Sequence, residues 1–223
     1  MAAVEARQTR TIDTQNRLMR AMEKLSAKNG AENVTVRELI EEAGQKNESV
    51  LQYHFNSKEG LLTAIHKLKY METQAKRLEM LTDRLARNTS PTFRDICYLI
   101  VAPTFQLCKS DARHRQWVRA FGAKNITVKR PMLEEEVIDE GNSFRVIRKL
   151  LKQRLTHLDD SMFEYRYLNV VRFSILSMSN HAHEKGAFSG KNADFFLSSL
   201  VDSLVGLFMA EVSSETRALL GKI

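Results

Sequence analysis

The segment from Thr35 to Leu62 constrains the fold of this chain more than any other part of the sequence. Thr35 precedes Glu38 by three residues, which is the pattern of a capping box in which each side chain accepts the other residue's backbone N–H. Apolar residues then recur at helical spacing, and Gly44 ends a short helix. A turn and a second short helix, ending near Phe55, follow. Two short helices around a tight turn are typical of a helix-turn-helix, whose second helix enters the DNA major groove.

The same segment resembles the DNA-binding domain of the TetR family of bacterial transcriptional regulators. The residues that carry the resemblance read Tyr53-His54-Phe55-x-x-Lys58-Glu59-x-Leu61-Leu62. The spacing from Gly44 to Phe55 is one residue longer than the common family pattern, so Gln52 stands where the family often has Tyr. The resemblance implies a DNA-binding domain at residues 8–68, with its motif at about 34–55, and an effector-binding and dimerisation domain at residues 69–223.

Composition independently favours an all-α protein. The chain of 223 residues contains three Pro and nine Gly and has few alternating β-branched runs. We therefore expect a three-helix helix-turn-helix domain, then a helical ligand-binding and dimerisation domain, with about nine helices in total. The net charge of +7 says less about nucleic acid than the motif does. Residues 1–60 hold nine Lys/Arg and nine Asp/Glu, so the excess of positive charge lies elsewhere.

The long helices can be assigned in outline. After a flexible tail of residues 1–8, a helix is expected from Thr9 to Asn29, and another from Ser57 to about Ala86. The latter would be about 45 Å long and could transmit a signal between the two domains. Its expected apolar stripe consists of Leu61, Ile65, Leu68, Ala75, Leu78, Leu81 and Leu85.

Helix caps and breaks divide the rest of the chain. We expect further helices from Pro91 to 109 after a Ser90 cap, at 112–124, from Pro131, at 144–155, from a Ser161 cap to 185, and at 193–212. Pro103 should kink the first of these. Basic residues cluster at Arg113, Arg115, Arg119 and Lys124. This cluster is either a solvated basic face or an anion site of a ligand.

The second helix of the motif carries the polar residues expected to contact DNA. Asn and Gln side chains suit an adenine edge in the major groove. The residues expected to face the groove are Lys46, Asn47, Ser49, Gln52 and Tyr53. Thr35, His54 and Lys58 are expected to position phosphates, and the resemblance implies that role for the Lys that begins the fourth helix.

Aromatic and Met residues of the second domain predict a ligand pocket only weakly, because plain core packing is the alternative for each of them. The resemblance implies an enclosed pocket for a small, largely apolar effector, with a volume of roughly 300–1,000 Å³. The candidate lining residues are Phe105, Trp117, Phe121, Phe144 and Met178.

The last two long helices carry a broader apolar surface than one core requires. The resemblance implies that they form a homodimer through a four-helix contact. The candidate interface residues are Phe173, Leu176, Leu197, Leu200, Val201, Leu204, Val205 and Phe208.

Other classes of function have little support. Cys97 and Cys108 are too far apart on one helix for a disulfide. His181 and His183 point in opposite directions on a helix, and no further ligand has suitable spacing, so we expect no metal. We expect no cofactor and no enzymatic activity. The absence of a long apolar run and of a signal-peptide core predicts a cytoplasmic protein without membrane association.

These observations predict a homodimeric, ligand-released repressor of a palindromic double-stranded DNA operator. The alternative is a DNA-binding dimer without an effector, whose second domain serves only dimerisation or protein docking. A hollow interior would favour the first prediction and a packed interior the second.

Overall fold

The computed structural model describes residues 2–87, 90–122 and 142–220, and within these ranges the chain forms ten α-helices and no strand. The all-α fold with an N-terminal helix-turn-helix is therefore confirmed. The helices are α1 (Ala2–Asn29), α2 (Val36–Glu42), α3 (Ser49–Phe55), α4 (Lys58–Arg87), α5 (Phe93–Ser110), α6 (Ala112–Phe121), α7 (Ser143–Arg154), α8 (Asp160–His181), α9 (Gly190–Met209) and α10 (Ser214–Leu220), with a 3₁₀ turn at Ala31–Asn33.

Several helix boundaries differ from the sequence prediction. The first helix begins at Ala2, so the expected flexible tail is helical. Thr92, not Ser90, caps α5, because its side chain and that of Asp95 form a capping box. Asp159 caps α8 in place of Ser161. The short helix α10 was not predicted, while the helix expected from Pro131 lies outside the described residues.

The first four helices, which we call the head, enclose a small apolar core, which we call the head core. Its buried residues in α1 to α4 include Leu18, Met22, Leu39, Leu51, Leu61 and Ile65. Phe55 is packed against this core and is partly buried. The head core also contains Phe121, which belongs to α6 in the second part of the chain. The first four helices and α6 therefore share a hydrophobic contact.

The second core is centred on α5, which packs against α4, α6, α7, α8 and α9. Both cysteines lie there and are fully buried. Burial raises the pKa of Cys97 to about 12 and that of Cys108 further still, so both thiols stay protonated at neutral pH. This agrees with inert packing roles.

The buried face of α4 is polar in its middle, contrary to the predicted stripe. Its buried residues are Leu61, Ile65, Lys69, Thr73, Arg77 and Leu81. Leu78 and Leu85, which were expected on this face, are 46% and 41% exposed. Residues four apart share a face of a helix, so the buried face keeps Leu61, Ile65 and Leu81 of the predicted stripe and has polar residues between them. The helix therefore buries two cations, Lys69 and Arg77, that the sequence prediction missed.

Arg77 compensates for a missing hydrogen bond in α5. Pro103 has no N–H to donate to the carbonyl of Leu99, four residues earlier in the helix. The Nε of Arg77 donates to that carbonyl at 2.9 Å, and Nη2 donates to the Ile100 carbonyl at 3.4 Å. A buried carbonyl without a donor is destabilising, so Arg77 explains how a proline is accommodated within α5.

Replacement of Arg77 by Met should destabilise the protein by about 1–3 kcal/mol, because the Leu99 carbonyl would lose its donor. Combining this change with Pro103→Ala should reduce the effect, because the new backbone N–H can satisfy the carbonyl. Urea unfolding of the two single variants and the double variant measures the coupling. Equal destabilisation by Arg77→Met in both backgrounds would contradict the compensation by Arg77.

Candidate functional site

The helix-turn-helix begins with the predicted capping box. The Thr35 hydroxyl accepts the N–H of Glu38 at 3.2 Å, and the Thr35 N–H donates to the Glu38 carboxylate at 2.9 Å. The hydroxyl and backbone N–H of Thr35 lower the pKa of Glu38. Thr35 is exposed at the N-terminus of α2, where a phosphate can approach, but its side chain also caps the helix.

The recognition helix α3 presents a continuous polar face to solvent. Asn47 Oδ1 accepts the backbone N–H of Ser49 at 2.9 Å and so fixes the start of the helix. Ser49, Gln52 and Tyr53 are exposed, as is Lys46 in the preceding turn. Tyr53 is 73% exposed. The spacing of three and four residues places these side chains on one side of α3, as a helix that enters a groove requires.

The two remaining predicted phosphate ligands are half-buried. His54 contacts the ring of Tyr53 edge-on, with 4.8 Å between ring centroids. Lys58 directs its ammonium group towards the end of the 3₁₀ turn, where it donates to the carbonyls of Val34 at 3.0 Å and Glu32 at 3.3 Å. Lys58 therefore ties α4 to the start of the motif, and its phosphate contact stays a prediction.

A close approach of two backbones sets the angle between α3 and α4. Asn56 ends α3 with a φ of 62°, a backbone conformation that residues other than glycine rarely adopt. Gly60 lies directly against the end of α3, where a Cβ atom would come within 2.0 Å of the Phe55 carbonyl oxygen. Only Gly permits this approach.

A cavity lies behind the head, between α4, α5, α6, α7 and α8. Its volume is about 130 Å³, smaller than the 300–1,000 Å³ expected from the sequence. Trp117 and Phe144 are the bulkiest side chains of its lining. Its lining residues are His66, Tyr70, Thr73, Arg77, Ile100, Val101, Thr104, Trp117, Val118, Gly122, Phe144, Val171, Ser174, Ile175 and Met178.

Three of the five predicted ligand residues, Trp117, Phe144 and Met178, line this cavity. The other two do not. Phe105 packs against Phe188 in the second core, with 5.5 Å between ring centroids. Phe121 lies in the head core. Both are large apolar residues on helices that line the cavity, and the sequence does not show which side of the helix faces inward.

The cavity has a small set of polar groups that the sequence prediction missed. The Trp117 indole donates to Nδ1 of His66 at 3.3 Å, which places the proton of the neutral imidazole on Nε2. Burial lowers the pKa of His66 and favours that neutral form. The hydroxyls of Thr73 and Ser174 donate to carbonyls of their own helices. Arg77 supplies a permanent positive charge.

A buried ionic cluster connects the head to the second domain. Lys69 is fully buried, and its ammonium lies 3.0 Å from Glu72 and 3.8 Å from Glu23 of α1. Arg113 of α6 donates to Glu23 at 2.9 Å, and His114 lies 3.2 Å from Glu72. Burial raises the pKa of Glu72, but hydrogen bonds from His114 and Lys69 outweigh it and lower that pKa to about 2.

The other arginines of the basic cluster also bind protein groups. Arg115 donates to the carbonyl of Cys108 at 2.6 Å, and Arg119 donates to His183 at 3.2 Å. Lys124 lies outside the described residues. His181 is buried and stacks on Phe196, away from His183, so the two histidines do not converge.

Five of the eight predicted interface residues are buried in their own protomer: Leu197, Leu200, Val201, Leu204 and Phe208. These five side chains pack in the second core, which leaves them little surface for a partner. Phe173 and Leu176 of α8 are exposed by 38% and 42%, and Val205 is partly buried. On α8 and α9 the large exposed apolar residues outside the predicted set are Tyr165, Phe195, Leu207 and Met209. Among the described helices, α9 is long and apolar enough by length and composition to cross a membrane, and one side of it is buried in the second core.

Comparison with known families agrees with the geometry of the head. Residues 18–65 match the family model described as "Bacterial regulatory proteins, tetR family". No curated protein matches the chain. The helix-turn-helix and this match define a DNA-binding transcriptional regulator. The match covers the helix-turn-helix part of the chain and supports a regulator of the TetR family.

Gly60→Ala should destabilise the head by roughly 1–3 kcal/mol, because the added Cβ forces α4 away from the end of α3. Asn56→Gly is the matched control in the same turn, because it removes a Cβ from a residue with positive φ. Thermal unfolding should show a lower Tm for Gly60→Ala and an unchanged or higher Tm for Asn56→Gly. A Gly60→Ala protein as stable as the wild type would show that the approach is not required.

Proposed function

We propose that the protein is a homodimeric repressor that leaves a palindromic DNA operator when a small molecule occupies its internal cavity. The observation that carries this proposal is the position of α6. Trp117 and Val118 of this helix line the cavity, while Phe121 of the same helix lies in the head core. A ligand that displaces Trp117 would therefore act directly on packing within the head.

Polar side chains of α3 would read the operator. Gln52 can form a bidentate contact with an adenine edge, and Ser49 and Tyr53 lie beside it on the exposed face. Lys46, Asn47, Thr35, His54 and Lys58 remain the proposed supporting contacts. In a two-fold dimer the two copies of α3 would occupy major-groove faces about 34–36 Å apart, or a multiple of that spacing.

Exposed apolar residues on α8 and α9 support the homodimer. Tyr165, Phe173 and Leu176 lie along one side of α8 at helical spacing, and Phe195 and Leu207 are exposed on α9. Apolar residues that recur along one side of a helix form a continuous surface, and such surfaces mark interaction sites. A two-fold axis through this surface would pair each helix with its counterpart in the partner.

A chain of polar contacts offers a route from cavity to head besides Phe121. Trp117 packs edge-on against His114, with 5.3 Å between ring centroids. His114 contacts Glu72, which pairs with Lys69, and Lys69 lies close to Glu23 of α1. Each link is buried or partly buried, so a shift of α6 would alter charge pairing that water screens weakly.

The free energy required of such coupling is modest. A difference of about 1–3 kcal/mol between the two conformations changes operator affinity about 5–150-fold. The ligand must bind the released conformation more tightly by that amount. A hollow interior favours this function over a DNA-binding dimer without an effector. We place the protein in the cytoplasm, where its DNA target lies.

Operator selection with purified protein should recover a palindrome, and Gln52→Ala should weaken binding to it by about 1–3 kcal/mol. The loss should be largest for operators that carry the preferred base, because Gln52 is expected to read one base edge. Gln153→Ala, an exposed Gln on α7, is the matched control and should bind normally. Fluorescence anisotropy with operator variants measures both effects.

Two outcomes of that experiment would change the proposal. Equal affinity for all DNA sequences would contradict the assignment of α3 as a base-reading helix. A palindrome that no compound releases would support the dimer without an effector.

Phe173→Glu should dissociate the dimer, because it places a charge in an apolar interface, and should leave the protomer folded because Phe173 is exposed. Met71→Glu on α4 is the control, since that residue is 50% exposed and lies on another helix. Sedimentation equilibrium should give a monomer for the first variant and a dimer for the second. A dimeric Phe173→Glu protein would exclude this face.

A further inference from the structure

The charge of Arg77 is unmatched within the described part of the chain. Its side chain is 1% exposed, and no carboxylate of residues 8–87, 90–122 or 142–219 forms an ion pair with it. Burial lowers the pKa of Arg77 to about 10, which still leaves the guanidinium protonated at neutral pH. A buried charge without an opposite partner is strongly unfavourable, so its presence in the wall of a cavity calls for an explanation.

Among the described residues, the groups that Arg77 contacts are all neutral. Its three nitrogens donate to the carbonyls of Leu99 and Ile100 and to the side-chain oxygen of Gln74, the last at 3.3 Å. A guanidinium has five N–H groups, so these contacts account for three of them. Within the described residues one N–H on each terminal nitrogen has no acceptor, and a carboxylate can accept hydrogen bonds from two such groups.

The need of Leu99 for a donor does not account for the positive charge. One neutral N–H would satisfy the carbonyl that Pro103 leaves unpaired. The guanidinium carbon instead lies 3.6 Å from the centroid of the Phe144 ring, which holds the planar group in position beside the cavity. The fixed cation is therefore a preformed site for an anion.

The remainder of the cavity specifies the body of the ligand. Ile100, Val101, Val118, Val171, Ile175 and Met178 form apolar walls. An apolar cavity of about 150 Å³ holds a molecule of the size of benzene, and the present volume is about 130 Å³. A phosphate ester would bring more charge than one guanidinium balances, and would waste the apolar walls.

We propose that the effector is a small monocarboxylate, with its carboxylate on Arg77 and an apolar body of about one aromatic ring or a short alkyl chain against the walls. This inference rests on the proposed function for the biological role of the ligand. Binding measured without DNA tests only the chemistry of the site.

The test compares three probes that share one phenyl ring on the wild-type protein. Benzoate and benzamide have nearly the same shape and differ in charge, and benzylamine carries the opposite charge; binding of each is measured by calorimetric titration at pH 7.5. Benzoate should bind saturably and at least about tenfold more tightly than benzamide, because a charge-assisted hydrogen bond is stronger than a neutral one. Benzylamine should not bind. Hexanoate and hexanamide repeat the comparison for an alkyl body. Equal binding of acid and amide in both pairs, or no binding of either acid, would overturn the proposal.

Variants identify the residue responsible while protecting the fold. Pro103→Ala alone restores a donor for the Leu99 carbonyl and retains Arg77, so it should keep the preference for the acid. Arg77→Met in the Pro103→Ala background removes the charge while the carbonyl stays paired, and should abolish that preference. A preference for the acid that persists in the folded double variant would place the anion elsewhere and overturn the assignment.

Operator binding separates this inference from the proposed function. If an acid binds through Arg77 but leaves operator affinity unchanged, the ligand class stands and ligand release fails. If another compound class releases the operator while no acid binds, ligand release stands and the inference about the carboxylate fails.

Discussion

Arg77 donates an N–H to the Leu99 carbonyl, and the packing of α4 against α5 is organised around that contact. Pro103 creates the need for it, since a proline within a helix leaves one carbonyl without its usual donor. The charge that comes with the guanidinium then lies in the wall of the cavity. A local defect in one helix and a binding property of the interior are thus linked through one side chain. Arginine meets both needs because its planar group offers several donors in fixed directions.

The contact between the head and the second domain combines two kinds of interaction. Phe121 inserts into the head core, and the cluster around Lys69 and Glu23 lies beside it. Buried ion pairs contribute little net stability, because desolvation offsets their attraction. They do restrict geometry, since a displaced partner leaves a buried charge unpaired. The junction therefore has few acceptable arrangements, which supports the proposed coupling between α6 and the head.

Helix α6 forms part of the wall of the cavity. Trp117 forms part of its wall, packs against His114 and donates to His66. The same indole is partly buried against both cores. A ligand in so small a space cannot avoid the surrounding side chains, because protein interiors are close-packed and transmit displacement. The size of the cavity thus favours coupling as well as selectivity for a small molecule.

The local pattern of the sequence determined the helix-turn-helix. The capping box of Thr35 and Glu38, the turn at Gly44 and the polar residues of α3 are all properties of adjacent residues, and the structure has each of them. The fold class and the ends of α4 follow from similar local rules.

Tertiary packing decided the rest. Leu78 and Leu85 are exposed while Lys69 and Arg77 are buried. The side of α4 that contacts the neighbouring helices is buried even where its residues are polar. For the same reason Phe208 and Leu204 lie in the protomer core, and Trp117, Phe144 and Arg77 meet around one cavity. These residues are far apart in sequence, and the periodicity of the sequence does not predict contacts between them.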